Sequence, residues 1–226
     1  MMQKVATLYR SSVGKKVLMA LSGVVLFGFI VLHMVGNLKV LLGPEEIDAY
    51  GRFLREVGYP AVPHKTILWT VRIALLVAVT VHIVAAFQTW AQSRNARAVG
   101  YRKNEDLSFS YASRTMRWGG VIILLFIVYH LLHFTTGTLH PDFIEGGIYH
   151  NFVAGFQSPI VLLVYLVAQA ALCLHLYHGL WSMTQTLGAN HPKYNRLRRP
   201  AAATAALAVF LGFVIPPVIV WMGLIS

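Results

Sequence analysis

Six of the ten histidines in this chain fall inside long apolar stretches: His33, His82, His130 with His133, and His175 with His178. An imidazole is costly to place in hydrocarbon, so it marks either function or a hydrogen bond between helices. Imidazole is also a usual axial ligand of iron, and a six-coordinate haem needs two such ligands facing each other at one depth. Four successive apolar stretches that each offer a histidine are hard to attribute to packing and point to cofactor ligation.

Other chemistries fit less well. There is no CxxCH motif for covalent haem attachment. The single cysteine, Cys173, lies in an apolar segment and reads as a packing thiol. All eight acidic residues lie between the apolar stretches. That distribution argues against a carboxylate metal site, and against a proton or ion transporter, whose pathways commonly use intramembrane acids.

The elements that carry these histidines must be transmembrane helices. The chain has 226 residues, 57% hydrophobic and 12% charged, and a hydropathy balance that places it in the membrane class. Crossing about 30 Å of hydrocarbon takes roughly 20 apolar residues in a helix. Five stretches qualify, at approximately 17–42, 66–91, 117–138, 158–186 and 201–225. The expected fold is an all-α, integral membrane bundle, a single transmembrane domain over 1–226 with no room for a soluble one. The first stretch is too long for a removable signal peptide and lacks its cleavage pattern. Glycine and proline punctuate the loops, and Pro216-Pro217 inside the last stretch is expected to kink it.

The formal charge of +11 is spread over alternate loops rather than one helix face. Lys and Arg number four before the first span, six from Arg94 through Arg117 around the second loop and four in the last, against three in the first loop and none in the third. The positive-inside rule then puts the N-terminus in the cytoplasm, and no nucleic-acid motif accompanies the charge. The tryptophans Trp69, Trp90, Trp118, Trp181 and Trp221 fall near span ends, at headgroup level.

At about 1.5 Å per residue from the cytoplasmic ends of these spans, His33 lies roughly 24 Å up, with His130 and His133 near 18 and 22 Å. His82 lies about 12 Å from the same side, His175 about 16 Å and His178 about 12 Å. The two levels imply two stacked b-type haems. Depth alone prefers His133 and His178 as ligands, by a margin of one helical turn.

The stretches Leu32-His33-Met34-Val35-Gly36-Asn37, Val81-His82, Tyr129-His130 and His175-Leu176-Tyr177-His178-Gly179-Leu180-Trp181 resemble the di-haem cytochrome b subunit of succinate dehydrogenases and fumarate reductases. The five-span layout is similar too. The resemblance implies that His33 and His130 hold the outer haem and His82 and His175 the inner one. His133 and His178 then stand beside the ligands, meeting a propionate or packing. Arg72 and Lys39 are candidates to pair with propionates of the outer haem; snorkelling is the alternative for Lys39. The resemblance also implies an FAD-bearing flavoprotein subunit, an iron-sulfur subunit and a quinone, menaquinone in most two-haem members, in the cytoplasmic membrane. Quinone reduction takes up protons, and Glu56 is the candidate by family position. The basic segments 94–117 and 193–199 are candidate docking surfaces for the iron-sulfur subunit or anionic lipid. Two other readings stay open: a di-haem anchor of a formate dehydrogenase or hydrogenase, and a haem-free transporter.

Overall fold

In hydrocarbon a chain must satisfy its own backbone groups, and these apolar runs do so as helices. The computed structural model describes residues 11–95, 110–189 and 191–225, and contains no β-strand among them. Helix α1 spans Ser12–Leu38 and is prolonged by a 3-10 turn, Lys39–Leu42. Then follow α2 (Pro44–Glu56), α3 (Thr66–Asn95) and α4 (Ser110–His130), which passes into a wider π turn at Leu131–Thr135. The chain continues with α5 (Ile148–Phe156), α6 (Pro159–Thr186), a 3-10 turn at Asn195–Leu197 and α7 (Arg198–Trp221). Among the described residues five segments are long and apolar enough to cross a membrane: Ser12–Leu42, Thr66–Asn95, Met116–Thr135, Pro159–Thr186 and Asn195–Trp221. This is the all-α, five-span layout that a multi-pass membrane protein requires.

Helix ends differ from the apolar runs because composition marks the hydrocarbon, not the helix. α1 begins at Ser12 rather than 17, capped by Ser11, whose Oγ accepts the Gly14 N–H at 3.0 Å. α4 begins at Ser110 rather than 117, and its span ends at Thr135 rather than 138. α7 begins at Arg198 rather than 201 and ends at Trp221 rather than 225. It stays helical through Pro216 and Pro217, both buried. Residues 96–109, the greater part of the basic 94–117 segment, lie outside the described residues.

The first and third loops contain the short helices α2 and α5, which the apolar runs do not reveal. Glu56 is thus the last residue of a helix. The two helices pack on each other: the Asp48 carboxylate accepts the N–H of Ile148 at 2.8 Å and of Tyr149 at 3.0 Å. It accepts from two of the donors that have no partner within the first turn of α5 and sets a negative charge at its positive end. Asp48→Ala is expected to lower stability by about 1–2 kcal/mol, read as a lower thermal midpoint in detergent; an unchanged midpoint would refute the capping role. Val40, Ile47, Phe152, Val153, Phe156, Leu162, Tyr165 and Val220 form one buried apolar cluster, so this cap is continuous with the bundle interior.

At the opposite end Arg94 and Arg117 lie over Trp90, at 5.8 and 5.9 Å, and Arg199 lies over Trp181 at 4.6 Å. We call these the capped and basic ends. α1 packs along α3, α7 along α6, and α4 along α6, while α1 also meets α6 and α7. Among the described residues α1 and α4 are not closely packed neighbours, and neither are α3 and α6.

Candidate functional site: paired histidines in the bundle

The intramembrane histidines meet across those two gaps. His33 of α1 faces His130 of α4, ring centres 5.8 Å apart and planes at 81°. His82 of α3 faces His175 of α6, ring centres 6.2 Å apart and planes at 62°. Tyr165, which touches His130, precedes His175 by ten residues on α6, about 15 Å of helix. The pairs therefore sit at two depths, His33–His130 nearer the capped end.

Each pair is oriented by its surroundings. His82 Nδ1 lies 3.0 Å from the Met19 carbonyl and 3.3 Å from Ser22 Oγ. Ser22 itself donates to the Leu18 carbonyl at 2.8 Å. Two acceptors at Nδ1 assign the proton there and leave the Nε2 lone pair for a ligand. The Met116 carbonyl faces the His175 ring, yet His175 Nδ1 is buried without a hydrogen bond of good geometry. His33 stacks on Phe29 at 5.2 Å and meets Phe213 at 5.8 Å. His130 Nδ1 lies 3.2 Å from the Tyr165 hydroxyl.

These distances suit a haem iron. An imidazole nitrogen bonds a first-row metal at about 2 Å, and its ring centre lies about 1 Å behind, so two axial imidazoles put their centres about 6 Å apart. Both pairs match that separation. Among the described residues no group of three or more His, Cys, Asp or Glu converges as a protein-only metal site would need; the histidines pair in twos, which suits a macrocycle that brings its own equatorial ligands. Beside the inner pair, Gly23 lies against His82 and Gly120 against His175: an added Cβ would stand 3.5 and 3.8 Å from their Cε1 atoms.

The other residues singled out by sequence are placed as follows. His133 is fully buried, stacked on Tyr129 and His140, and turned to the Tyr165 hydroxyl at 3.0 Å. His178 is half-buried beside Tyr177. Lys39 pairs with Glu46 at 3.3 Å, a carboxylate partner that sequence did not foresee. Arg72 is exposed and lies over the Trp69 ring at 5.1 Å. Glu56 lines a surface cleft of about 510 Å³ at the capped end with Arg52, Phe53, Tyr59 and His64.

Sequence reasoning missed Tyr165, Ser22, the Met19 carbonyl and Gly120. A tyrosine at membrane depth needs a partner for its hydroxyl, and that was the available signal for Tyr165. His140, in the loop between α4 and α5, is half-buried against His133, with Nε2 2.8 Å from the Asn151 carbonyl. No curated protein and no solved structure matches the chain. Residues 107–215, just under half of it, match the family model of the succinate dehydrogenase/fumarate reductase transmembrane subunit, a stretch that contains His130, His133, His175 and His178 but not the helices bearing His33 and His82.

Proposed function

We propose that this chain is the di-haem cytochrome b anchor of a succinate dehydrogenase-type complex in the cytoplasmic membrane. The observation that carries this reading is the pairing of His33 with His130 and of His82 with His175, at two depths and at the spacing of axial ligands. In it, these four side chains would hold two b-type haems, His82 and His130 through the Nε2 that their Nδ1 contacts leave for a ligand. When bound, the haems supply one-electron carriers between an iron-sulfur subunit at the basic end and a quinone, menaquinone by family likeness, at the capped end.

The chain's own residues bind and orient. The Met19 carbonyl and Ser22 hydroxyl hold the His82 ring through Nδ1 and strengthen it as a donor. Arg72 is the cation we assign to a propionate; Lys39, engaged by Glu46, is assigned to the interface. Glu56 and the cleft it lines form our quinone headgroup site, where the Glu56 side chain would take a proton from solvent and relay it to an oxygen of the reduced quinone. The cations at the basic end meet the iron-sulfur subunit, which receives electrons from an FAD-bearing flavoprotein.

The test is a reduced-minus-oxidised spectrum of the purified protein with a pyridine haemochrome count. Two b haems per chain are expected, and their complete absence would return the histidines to packing or transport. Co-purification of a flavoprotein active on succinate is expected next; a formate dehydrogenase or hydrogenase subunit in its place would keep the haems and overturn the succinate assignment.

A further inference from the structure

One phenol stands between two histidines of the same helix. The Tyr165 hydroxyl oxygen lies 3.2 Å from His130 Nδ1 and 3.0 Å from His133 Nδ1. A phenol carries a single hydrogen, so it donates to one of these nitrogens and must accept an N–H from the other. The haem reading above, on which this inference rests, decides which. A neutral His130 that holds iron through Nε2 keeps its proton at Nδ1 and donates it to the Tyr165 oxygen. Tyr165 then donates to His133 Nδ1, and His133 carries its own proton at Nε2.

We propose that Tyr165 is a positioning residue for the ligand His130, and that His133 is the far anchor of this chain rather than a ligand. The phenol is held for that task. Tyr165 is 7% exposed, and Phe126 and Phe156 meet its ring edge-on, each at 4.8 Å. His133, wholly buried, is stacked at 4.8 Å on His140. His140 is fixed in turn: the Asp142 N–H donates to its Nδ1 at 3.1 Å, so its Nε2–H donates to the Asn151 carbonyl. His140 meets His133 by stacking alone, and His133 Nε2 is buried without a hydrogen-bond partner, so the proton arrangement of His133 is set from the Tyr165 side.

The consequence is electronic as well as geometric. A phenol that donates to His133 is a better acceptor for the His130 N–H, because hydrogen bonds in a chain polarise one another. A stronger pull at Nδ1 makes His130 a stronger donor at Nε2 and favours ferric iron. The other pair is tuned by a backbone carbonyl at His82, so changes at Tyr165 act on one haem alone.

The experiment is a redox titration of the haem-loaded wild type, Tyr165→Phe and His133→Leu, followed optically and by the low-spin ferric electron paramagnetic resonance signals. Tyr165→Phe keeps the ring and is expected to retain both haems. The midpoint of one haem should rise, by up to about tenfold in its reduction equilibrium, or about 59 mV for one electron, while the other stays. His133→Leu, which leaves the phenol but removes its acceptor, should raise the same haem by less. Should Tyr165→Phe empty a site, the His133→Leu midpoints decide, and no shift there overturns the proposal. Two haems whose midpoints ignore both substitutions, or move together, overturn this inference alone. A wild-type protein without haem overturns the parent reading and this one with it.

Discussion

Replacing His130 by alanine is expected to leave a folded protein that binds one b haem in place of two, and His33→Ala is expected to lose the same haem. His82→Ala and His175→Ala should each lose the other. The grouping follows from which rings face each other, at 5.8 Å and 6.2 Å. Loss of an outer partner of a metal ligand alone costs about 10–100-fold in metal affinity, so loss of an axial ligand should exceed that and empty the site on purification. His133→Ala and His178→Ala should keep two haems, since His133 turns to Tyr165 and His178 to Tyr177. Haem per chain and the difference spectrum check all six variants. If His133→Ala emptied a site and His130→Ala did not, the ligand assignment would be wrong while the haem reading survived.

The one-turn ambiguity between these histidines shows where sequence stops being sufficient. Depth was counted from the ends of apolar runs, and that origin is displaced unequally on different helices. Counted from the helix starts at Ser12 and Ser110, His33 and His130 lie about 31 and 30 Å along their helices. From Asn95 and Thr186, His82 and His175 lie about 20 and 17 Å back, with His178 at about 12 Å. The helices start five and seven residues before the apolar runs on α1 and α4, and α3 ends four residues past its run while α6 ends with it; this unequal displacement reverses the ranking that depth alone gives. The number of spans and the four histidine-bearing helices were legible, because hydrocarbon demands long apolar runs and makes each polar residue in them conspicuous.

What stayed hidden depends on contacts between distant segments. α2 carried a start signal in Gly43-Pro44-Glu45-Glu46, with proline in the first turn and acids behind it. Nothing local announces that Asp48 reaches the backbone of Ile148, a hundred residues on. The same holds for Met19 and His82, whose contact requires α1 and α3 to be aligned in depth and in rotation about their axes. Periodicity gives a helix face but not the partner that the face meets.

The room beside the inner pair supplies the second large expected effect. Gly23 of α1 and Gly120 of α4 carry no side chain beside His82 and His175. A Cβ at either position would stand at ordinary contact distance from the imidazole, 3.5 Å at His82 and 3.8 Å at His175. Gly23→Ala and Gly120→Ala should therefore keep both haems, with a more stable helix by up to about 1 kcal/mol. Leucine has a helix propensity near that of alanine, so Gly23→Leu and Gly120→Leu change the space and little else. The branched end has to occupy the volume of the ring or of what the ring binds. Both leucine variants are expected to lose the haem that His82→Ala loses and to keep the one that His33→Ala loses. Haem counts, with the residual spectrum matched to the histidine variants, check this. Two haems retained in both leucine variants would mean that the inner pair does not use the space these glycines leave, and would remove the cradle from the argument for a haem there.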